Sequence, residues 1–190
     1  MSAEVLYGRV VDVIDGDTLD LLVGRSEHRI RLAEIDTPER NQPWGSSATR
    51  ALEEKVLYHN VSVQILGPGG YGRLSGRVWL GRRDINRELV TEGHAWVYRR
   101  YLTDESFLQN EAAARQRRTG LWSIGRPVAP WLWRRGTRAP TVIFASGGLA
   151  EKNYCSEMSS CEEAYTYFTQ RGLTHLDGDR DGVPCEALCR

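Results

Sequence analysis

The first third of the chain alternates between apolar and polar positions in the manner of short β-strands. Residues 6–14, 17–23 and 28–35 are rich in Val, Leu and Ile, and short polar or glycine-containing breaks separate them. Two further strands are predicted at residues 61–66 and 77–80, on either side of a glycine-rich segment. Five strands with mostly short connections favour antiparallel hairpins and a small closed or partly closed barrel.

Three other segments have the spacing of amphipathic helices. Apolar residues recur every four positions from Ala48 to Val56, which places them on one face of a helix. Asp84 is suited to cap a second helix that ends at Gly93, and a third helix is predicted over residues 105–118. The pattern therefore predicts an α+β fold in which a five-stranded barrel carries three helices.

A change in composition separates this body from the end of the chain. Prolines interrupt any periodicity between residues 124 and 150, and Trp131 and Trp133 lie there among several arginines. Because isolated tryptophans are rarely exposed, we expect this pair to pin the segment onto the body. The predicted organisation is a body over residues 1–125, a linker over 126–152 and a small C-terminal module over 153–190.

Composition excludes some classes of protein and favours one kind of ligand. Apolar residues make up 41% of the 190 residues, and no apolar run approaches the roughly 18 residues of a membrane span. The 25 basic and 25 acidic side chains cancel, but residues 151–190 hold eight acids against four bases. The surplus of positive charge on the body is almost entirely arginine, whose planar guanidinium suits a polyanionic ligand.

All four cysteines, at positions 155, 161, 185 and 189, lie in the C-terminal module. They allow three disulfide connectivities, and a unit this small needs bridges or a metal in order to fold. No histidine stands at zinc-finger spacing among them, so disulfides are favoured over a zinc site. Disulfides imply an oxidising compartment. We therefore expect a secreted or periplasmic protein whose signal peptide has been removed, the alternative being a cytosolic protein.

Three carboxylates, Asp17, Asp36 and Glu39, bracket a sharp bend at a Thr-Pro dipeptide. Carboxylate oxygens suit hard cations such as Ca²⁺ and Mg²⁺, and the proline holds Thr37 extended so that its carbonyl has a fixed direction. Arg31 and Asp36 are five positions apart, which in a flat strand places them on opposite faces. If both serve one site, the strand must bend before Asp36. Each piece alone is common in ordinary turns, and it is their conjunction that favours a site.

The glycine-rich segment over residues 67–73 has the spacing of a dinucleotide-binding fingerprint. That interpretation fails because a strand, and not a helix, is predicted to follow. A mobile hairpin loop is predicted instead, with Tyr71 and Arg73 at its C-terminal side. An arginine in this position can meet a phosphate or can simply be solvated.

The C-terminal module contains an acidic pattern that is typical of calcium loops. Asp177, Asp179 and Asp181 occupy the first, third and fifth positions, and Gly182 occupies the sixth. The closing Glu186 falls at the tenth position and not the twelfth, so the loop differs from a standard EF-hand. We expect calcium binding here in preference to a solvated acidic turn.

Several short motifs together resemble the staphylococcal nuclease family, in the same order and at compatible spacings over about residues 5–124. They are Asp15–Thr18, Arg31 with Asp36–Glu39, Tyr71–Arg73, Asn86 with Glu88–Val90, Gly93–Tyr101 and Gly120–Ser123. The resemblance implies an OB-fold barrel with helices and calcium-dependent endonucleolytic hydrolysis of DNA and RNA with little sequence specificity. The cysteine-containing module, residues 155–189, resembles the excalibur extracellular calcium-binding domain.

The nuclease resemblance also implies a role for each carboxylate of the bend. Asp17 and Asp36, together with the carbonyl of Thr37, would hold a catalytic Ca²⁺. Glu39 would position or deprotonate the attacking water. Calcium acidifies water only slightly, so a carboxylate has to assist.

The same resemblance implies roles for two arginines and two tyrosines. Arg31 and Arg73 would hold the phosphate and the charge that develops on it. Tyr71 and Tyr101 would line the nucleotide pocket. The sequence departs from the family pattern at Gly67–Gly70, where the family carries a charged stretch, and this predicts a difference in substrate affinity or preference.

In the C-terminal module the resemblance implies a second Ca²⁺ site. Its ligands would be Asp177, Asp179, Asp181, the Val183 carbonyl and Glu186. We expect the disulfides Cys155–Cys189 and Cys161–Cys185, a nested arrangement that ties both ends of the module. The chain as a whole is expected to be a monomer.

Two alternatives to an enzyme come from other functional classes. An OB-type barrel can bind nucleic acid or protein without cleaving it. The C-terminal module can instead be the functional end, as a calcium-dependent surface attachment. Degenerate nuclease domains lose charged site residues, and here Asp17, Arg31, Asp36, Glu39 and Arg73 are all present, which favours the enzyme.

Overall fold

The computed structural model describes residues 4–136, 152–170, 173–178 and 183–189. Its strands are β1 (Val5–Asp15), β2 (Thr18–Val23), β3 (Ser26–Leu32), β4 (Ile35–Asp36), β5 (Asn60–Gly70), β6 (Arg73–Leu80), β7 (Arg83–Asp84) and β8 (Trp96–Val97). Its helices are α1 (Gly45–Val56), α2 (Ile85–Thr91), α3 (Ser106–Arg117), α4 (Pro130–Trp133), α5 (Cys161–Gln170) and α6 (Glu186–Cys189). None of the helices in these ranges has the length and apolar character needed to cross a membrane.

Five of the strands form a closed barrel. β1 pairs antiparallel with both β2 and β5, β2 pairs with β3, and β5 pairs with β6. A parallel pairing of β3 with β6, in which Arg31 lies opposite Ser75, closes the sheet. The predicted α+β fold, a five-stranded barrel with three helices, is therefore confirmed, with α1, α2 and α3 as the helices.

The barrel interior is filled by the apolar positions that alternate along the strands. Fully buried examples are Leu19, Leu21, Ile30 and Leu32. The face of α1 from Ala48 to Val56 packs inward as predicted, and the Asp84 carboxylate caps α2 by accepting from the Arg87 backbone N–H at 3.1 Å. Because side chains alternate along a strand, the residues between the buried positions, Arg31 among them, project from the outer face of the barrel.

The glycine-rich segment is not the loop that its sequence predicts. Residues 67–70 continue β5 and pair with the start of β6, with register shifts on both sides of Gly67 and Pro68. The hairpin closes in only two residues, Tyr71 and Gly72, which have φ values of 52° and 76°. Two consecutive positive φ angles produce a turn whose twist matches that of the flanking strands. The glycines therefore allow a bulged ribbon to form where a long loop was expected.

Part of the predicted linker packs against the barrel body. Trp131, in α4, meets Trp96 edge-on at 5.7 Å and stacks on Tyr98 at 5.6 Å between ring centroids. The Gln42 side chain donates to the Val128 carbonyl at 2.5 Å, and the Trp133 indole N–H donates to Asn41 at 3.2 Å. The prediction that the tryptophans pin this segment onto the body is confirmed. The rest of the predicted linker, residues 137–151, lies outside the described residues.

The buried apolar residues of the C-terminal module lie around α5 and form one cluster with Trp44, Trp96 and Trp122 of the body. Ala164, Tyr167 and Leu176 are buried. The Ser160 hydroxyl accepts from the Glu163 backbone N–H at 3.1 Å and so caps the start of α5. The Glu163 carboxylate in turn accepts from the backbone N–H of Ser159 at 2.6 Å.

The four cysteines form two disulfides, but the predicted nested pairing is wrong. The bridges are Cys155–Cys185 and Cys161–Cys189, so the two loops interleave. The physical reason lies in the end of the chain, where the Cys185 backbone N–H donates to the Leu176 carbonyl at 2.7 Å and α6 begins one residue later. One helical turn then carries Cys189 from the position of Cys185 to the start of α5, where Cys161 lies.

Mapping the disulfide-linked peptides by mass spectrometry is expected to give Cys155–Cys185 and Cys161–Cys189. Each bridge spans about 30 residues, with separations of 30 and 28, and each is worth about 3–4 kcal/mol in the chain-entropy model. Double replacement of Cys161 and Cys189 by serine is expected to destabilise the module while the barrel keeps its unfolding midpoint. Recovery of a Cys155–Cys189 peptide would contradict the interleaved pairing.

Candidate active site

Asp17 is held at the turn between β1 and β2 by the bend that follows β4. One Asp17 carboxylate oxygen accepts from the Thr37 backbone N–H at 2.8 Å and from the Thr37 hydroxyl at 3.0 Å. Gly16 makes this close approach possible, since a Cβ at that position would lie 2.7 Å from the Thr37 hydroxyl oxygen. Both Asp17 and Thr37 are buried. The Asp-Gly-Asp sequence thus brings the first carboxylate to the Thr-Pro bend, as predicted.

A sharp bend between β3 and β4 brings Arg31 and Asp36 together. Glu34, in this bend, has a φ of 67°. Its buried carboxylate accepts from the backbone N–H groups of Thr103 at 2.7 Å and Asp104 at 2.9 Å, which holds the strained turn in place. The bend that the sequence requires before Asp36 is therefore present, and Glu34 is the residue that adopts it.

Arg31 lies between the two carboxylates that were predicted to hold a metal. Its guanidinium forms an ion pair with Asp17 and donates to Asp36 at 2.7 Å. Its side chain is only 16% exposed. Burial opposes the charge on Arg31, but the carboxylates of Asp17 and Asp36 outweigh it and raise the guanidinium pKa. Arg31 thus balances part of the negative charge that a cation would otherwise meet.

Glu39 lies at the edge of the same cluster and is 38% exposed. Its backbone N–H donates to the Gln42 side chain at 3.1 Å, which fixes the start of the segment leading into α1. The Glu39 carboxylate faces the same point as Asp36, because one guanidinium contacts both of them. A half-exposed carboxylate at the mouth of a buried acidic cluster is well placed to contact a water molecule.

The guanidinium that links these two carboxylates belongs to Arg134, which the sequence analysis left in the linker. It donates to the Asp36 carboxylate at 2.7 and 3.3 Å and to Glu39 at 2.6 Å. Burial opposes its charge, but the hydrogen bonds to Asp36 and Glu39 raise its pKa. The only signal in the sequence is a pair of arginines directly after the anchoring tryptophans, which gives no hint of which carboxylates they reach.

The acidic cluster retains an excess of negative charge despite these two arginines. Burial and the neighbouring charge of Asp17 raise the pKa of Asp15 to about 6. Burial raises the pKa of Asp36 even with Arg134 and Arg31 beside it. These raised pKa values indicate that negative charge is disfavoured in the cluster. Hard oxygen donors in such a pocket fit a divalent cation such as Ca²⁺. Asp15 is a member of the cluster that the sequence analysis did not select.

Carboxylates alone do not make a complete cage for an ion. Within the ranges that the structure describes, no three His, Cys, Asp or Glu side chains form a group that could hold a metal. The protein donors for an ion at this place would be Asp17, Asp36 and the Thr37 carbonyl, completed by water or substrate oxygens, as is common for hard cations. Glu39 then remains available for the attacking water.

The other predicted residues are spread more widely around the barrel. Ser75 pairs with Arg31 and therefore faces the same side of the sheet. Arg73 lies two positions before Ser75 on β6, so it is on the same outer face as Arg31. Its guanidinium, however, donates to the carbonyls of Gly69 and Gly70, each at 3.2 Å, and not to the carboxylates. Its role in holding phosphate stays a prediction.

The two predicted pocket tyrosines are both accessible but occupy different places. Tyr71 is 100% exposed at the tip of the β5–β6 hairpin. Tyr101 is also exposed and contacts the edge of Tyr98 at 5.1 Å between ring centroids. Because Tyr98 stacks on Trp131, an aromatic group extends from Tyr101 toward α4 and Arg134. Tyr98 and Trp131 are further residues that the sequence analysis did not assign to a site.

The predicted calcium loop of the C-terminal module is described only in part. Asp177 and Val183 are buried and Glu186 is partly exposed. Asp179 and Asp181 lie outside the described residues. The second Ca²⁺ site therefore stays a prediction.

A closed OB-type barrel with buried aspartates and arginines on its outer face is compatible with a phosphodiester-cleaving site, and comparison with known proteins identifies the family. Residues 29–124 match the family model described as staphylococcal nuclease homologue. The chain belongs to this family, and its enzymatic activity is that of a nuclease.

Similar curated proteins include bacterial nucleases that span most of the barrel body. An uncharacterized endonuclease of Escherichia coli O157:H7 is 42% identical over 68% of this chain and 85% of its own length. A micrococcal nuclease of Shigella flexneri is 39% identical over 70% of this chain and 83% of its own length. An uncharacterized endonuclease of Haemophilus influenzae is 38% identical over 67% of this chain and 72% of its own length.

The C-terminal module matches a second family model. Residues 152–186 match the excalibur calcium-binding domain, which confirms the resemblance of this module. This domain and the two disulfides are consistent with an extracellular or periplasmic protein.

Proposed function

We propose that this nuclease is a calcium-dependent endonuclease that hydrolyses phosphodiester bonds of both DNA and RNA with little sequence specificity. The observation that carries the proposal is the convergence of Asp17, Asp36 and Glu39 on guanidinium groups at one end of the barrel. Asp17 and Asp36 would hold the ion together with the Thr37 carbonyl. When bound, Ca²⁺ would supply positive charge that offsets the charge of the scissile phosphate and favours attack by water.

The side chains of the cluster have separate roles in the proposed reaction. Glu39 accepts a hydrogen bond from the attacking water and takes up its proton as the water oxygen approaches phosphorus. Arg31 exchanges one of its carboxylate partners for a phosphate oxygen and stabilises the charge that develops there. Arg73 is proposed to assist from the same outer face after leaving its glycine carbonyls. The P–O bond opposite the attacking water then breaks, and the leaving oxygen departs with the electron pair and takes up a proton from solvent.

The proposed low sequence specificity follows from the kinds of contact that the arginine and aromatic side chains can make. Guanidinium groups contact phosphates, which carry no sequence information. The aromatic group formed by Tyr98, Tyr101 and Trp131 offers ring faces and edges, and stacking tolerates any base. Tyr71 is proposed to contribute in the same way from the hairpin tip. Both DNA and RNA strands can satisfy such contacts.

We propose that the C-terminal module binds a second Ca²⁺ through Asp177, Asp179, Asp181, the Val183 carbonyl and Glu186. A unit of this size has little core, so the ion and the two bridges would supply most of its stability. We further propose that the mature protein is secreted or periplasmic and monomeric. The packing of Val128 and Trp131 on the body supports a boundary of the nuclease unit beyond residue 125, near residue 136.

The test uses circular substrates, which an exonuclease cannot degrade. Circular single-stranded DNA and circular RNA are incubated with the protein in Ca²⁺, and the linear product is quantified on a denaturing gel. We expect linearisation of both circles at many positions. Cleavage of linear strands only, or of one nucleic acid only, would refute the endonuclease or the dual-substrate part of the proposal.

A further inference from the structure

The position of Arg134 needs an explanation, because this guanidinium lies on the two carboxylates that the proposed mechanism uses. Its two terminal nitrogens contact both oxygens of Asp36, at 2.7 and 3.3 Å, and one of them also contacts Glu39 at 2.6 Å. Arg134 contacts the Asp36 oxygens that a metal would need and the Glu39 oxygen that an attacking water would need. Arg134 therefore has to move when the site is loaded.

The surroundings of Arg134 hold its backbone and leave its side chain free to move. Trp131 is stacked on Tyr98, and Trp133 donates to Asn41, so the segment before Arg134 is anchored to the body at two points. The Arg134 side chain itself is 42% exposed, against 16% for Arg31. Of the two arginines on Asp36, Arg134 has the more exposed side chain and therefore more room to leave the carboxylate.

The charge of the cluster indicates where the released guanidinium goes. Asp17, Asp36 and Glu39 carry three negative charges, Asp15 beside them adds part of a fourth, and Arg31 and Arg134 carry two positive charges. A divalent cation and one phosphodiester together bring this group close to neutrality only if both arginines remain. Loss of Arg134 would leave the loaded site with a net negative charge as hydrolysis adds more negative charge to the phosphate.

The geometry of the Arg134 contacts also favours a phosphate as the next partner of this guanidinium. The two-pronged contact of Arg134 with Asp36 is the arrangement in which a planar guanidinium also binds two oxygens of a phosphate. Arg73, the arginine predicted to share the phosphate with Arg31, is instead bonded to Gly69 and Gly70. Among the described residues, Arg134 is the arginine besides Arg31 that contacts the acidic cluster.

We infer that Arg134 is a phosphate-binding residue of the active site. Asp36 and Glu39 bind its guanidinium until a divalent cation and the scissile phosphate replace these partners. The inference rests on the proposed function. It deepens that function, because it places an arginine from beyond the predicted body in direct contact with substrate. It also makes the metal and Arg134 competitors for Asp36 before substrate arrives.

The competition can be measured without catalysis. Tb³⁺ is a hard, oxygen-seeking stand-in for Ca²⁺ whose luminescence is sensitised by nearby tryptophan. Trp44, Trp96 and Trp122 share a buried cluster with Leu176 and Val183 of the C-terminal module, so either candidate site can give a sensitised signal. The full chain is titrated as wild type, Arg134→Gln, Arg134→Lys and the neighbouring control Arg135→Gln. Asp36→Asn identifies the signal that belongs to the barrel site.

In this titration Arg134→Gln is expected to bind Tb³⁺ about tenfold more tightly than wild type, a change of ~1.4 kcal/mol. In Ca²⁺, the same variant is expected to bind a phosphorothioate oligonucleotide at least about tenfold more weakly, as measured by fluorescence anisotropy. Arg134→Lys should fall between it and wild type, because lysine keeps the charge and loses the fork. Arg135→Gln should match wild type in metal affinity.

Two results would overturn the inference. Unchanged Tb³⁺ affinity in Arg134→Gln would mean that Arg134 does not compete for Asp36. Tighter Tb³⁺ binding with unchanged oligonucleotide affinity would mean that Arg134 only blocks the metal site and never contacts phosphate. Neither readout needs turnover, so a wild-type protein that binds but does not cleave would refute the proposed function separately.

Discussion

Replacement of Glu39 by glutamine is expected to lower turnover by about 10²–10⁴-fold, the usual contribution of a positioned general base. Glutamine keeps the shape of the side chain and can still contact water, but it cannot take up a proton. Glu39 is 38% exposed and outside the core, so the fold is expected to survive. Initial rates on single-stranded DNA at saturating Ca²⁺ measure the effect, and an unchanged unfolding midpoint verifies the fold.

The matched control is Glu27→Gln, which removes the same charge from an exposed position on β3. It should retain the wild-type rate. Wild-type turnover in Glu39→Gln would exclude Glu39 from proton transfer. Arg31→Ala is a less clean test, because removing a buried partner of Asp17 and Asp36 also destabilises the protein, by about 3–5 kcal/mol.

Two truncations are expected to differ strongly in activity. A chain that ends at residue 150 keeps α4 and Arg134 and is expected to stay within about tenfold of the full-length rate, ~1.4 kcal/mol in barrier. A chain that ends at residue 127 loses the Val128, Trp131 and Arg134 contacts and is expected to lose about 10²–10³ in rate, as for a single transition-state contact. The cleavage rates of the two truncated chains and the full-length chain are compared at equal protein concentration.

A point variant separates lost chemistry from lost folding in these truncations. Arg134→Gln in the chain that ends at residue 150 keeps all the anchoring contacts of α4, so it should fold and still show a large part of the loss. Equal rates for the two truncations would contradict a boundary near residue 136. A large loss in the longer truncation would mean that the C-terminal module helps to build the site.

The parts of the site that lie close together in sequence were predictable. Thr37 is held extended by Pro38, and a five-residue spacing cannot bring Arg31 and Asp36 onto one face without a bend. The structure contains that bend, at Glu34, and Arg31 contacts Asp36 at 2.7 Å. Local stereochemistry and strand periodicity thus carry most of the information about this part of the site.

Long-range contacts were not predictable in the same way. The contact between Arg134 and Asp36 joins residues 98 positions apart, and no local pattern specifies it. The same limit applies to the disulfides, because the position of Cys185 depends on a backbone hydrogen bond to Leu176. At Gly67–Gly70, glycine-rich composition is compatible with both a loop and a bulged strand, and pairing with β6 decides between them.

The central claim is that cleavage depends on a calcium ion held by Asp36, and the most direct measurement is the calcium dependence of cleavage by wild-type and Asp36→Asn protein. The account predicts that excess chelator abolishes wild-type cleavage and that Ca²⁺ restores it. It also predicts that Asp36→Asn needs about tenfold or more Ca²⁺ for its residual activity. Cleavage that persists in excess chelator, or an Asp36→Asn variant with the wild-type calcium dependence, would contradict the account.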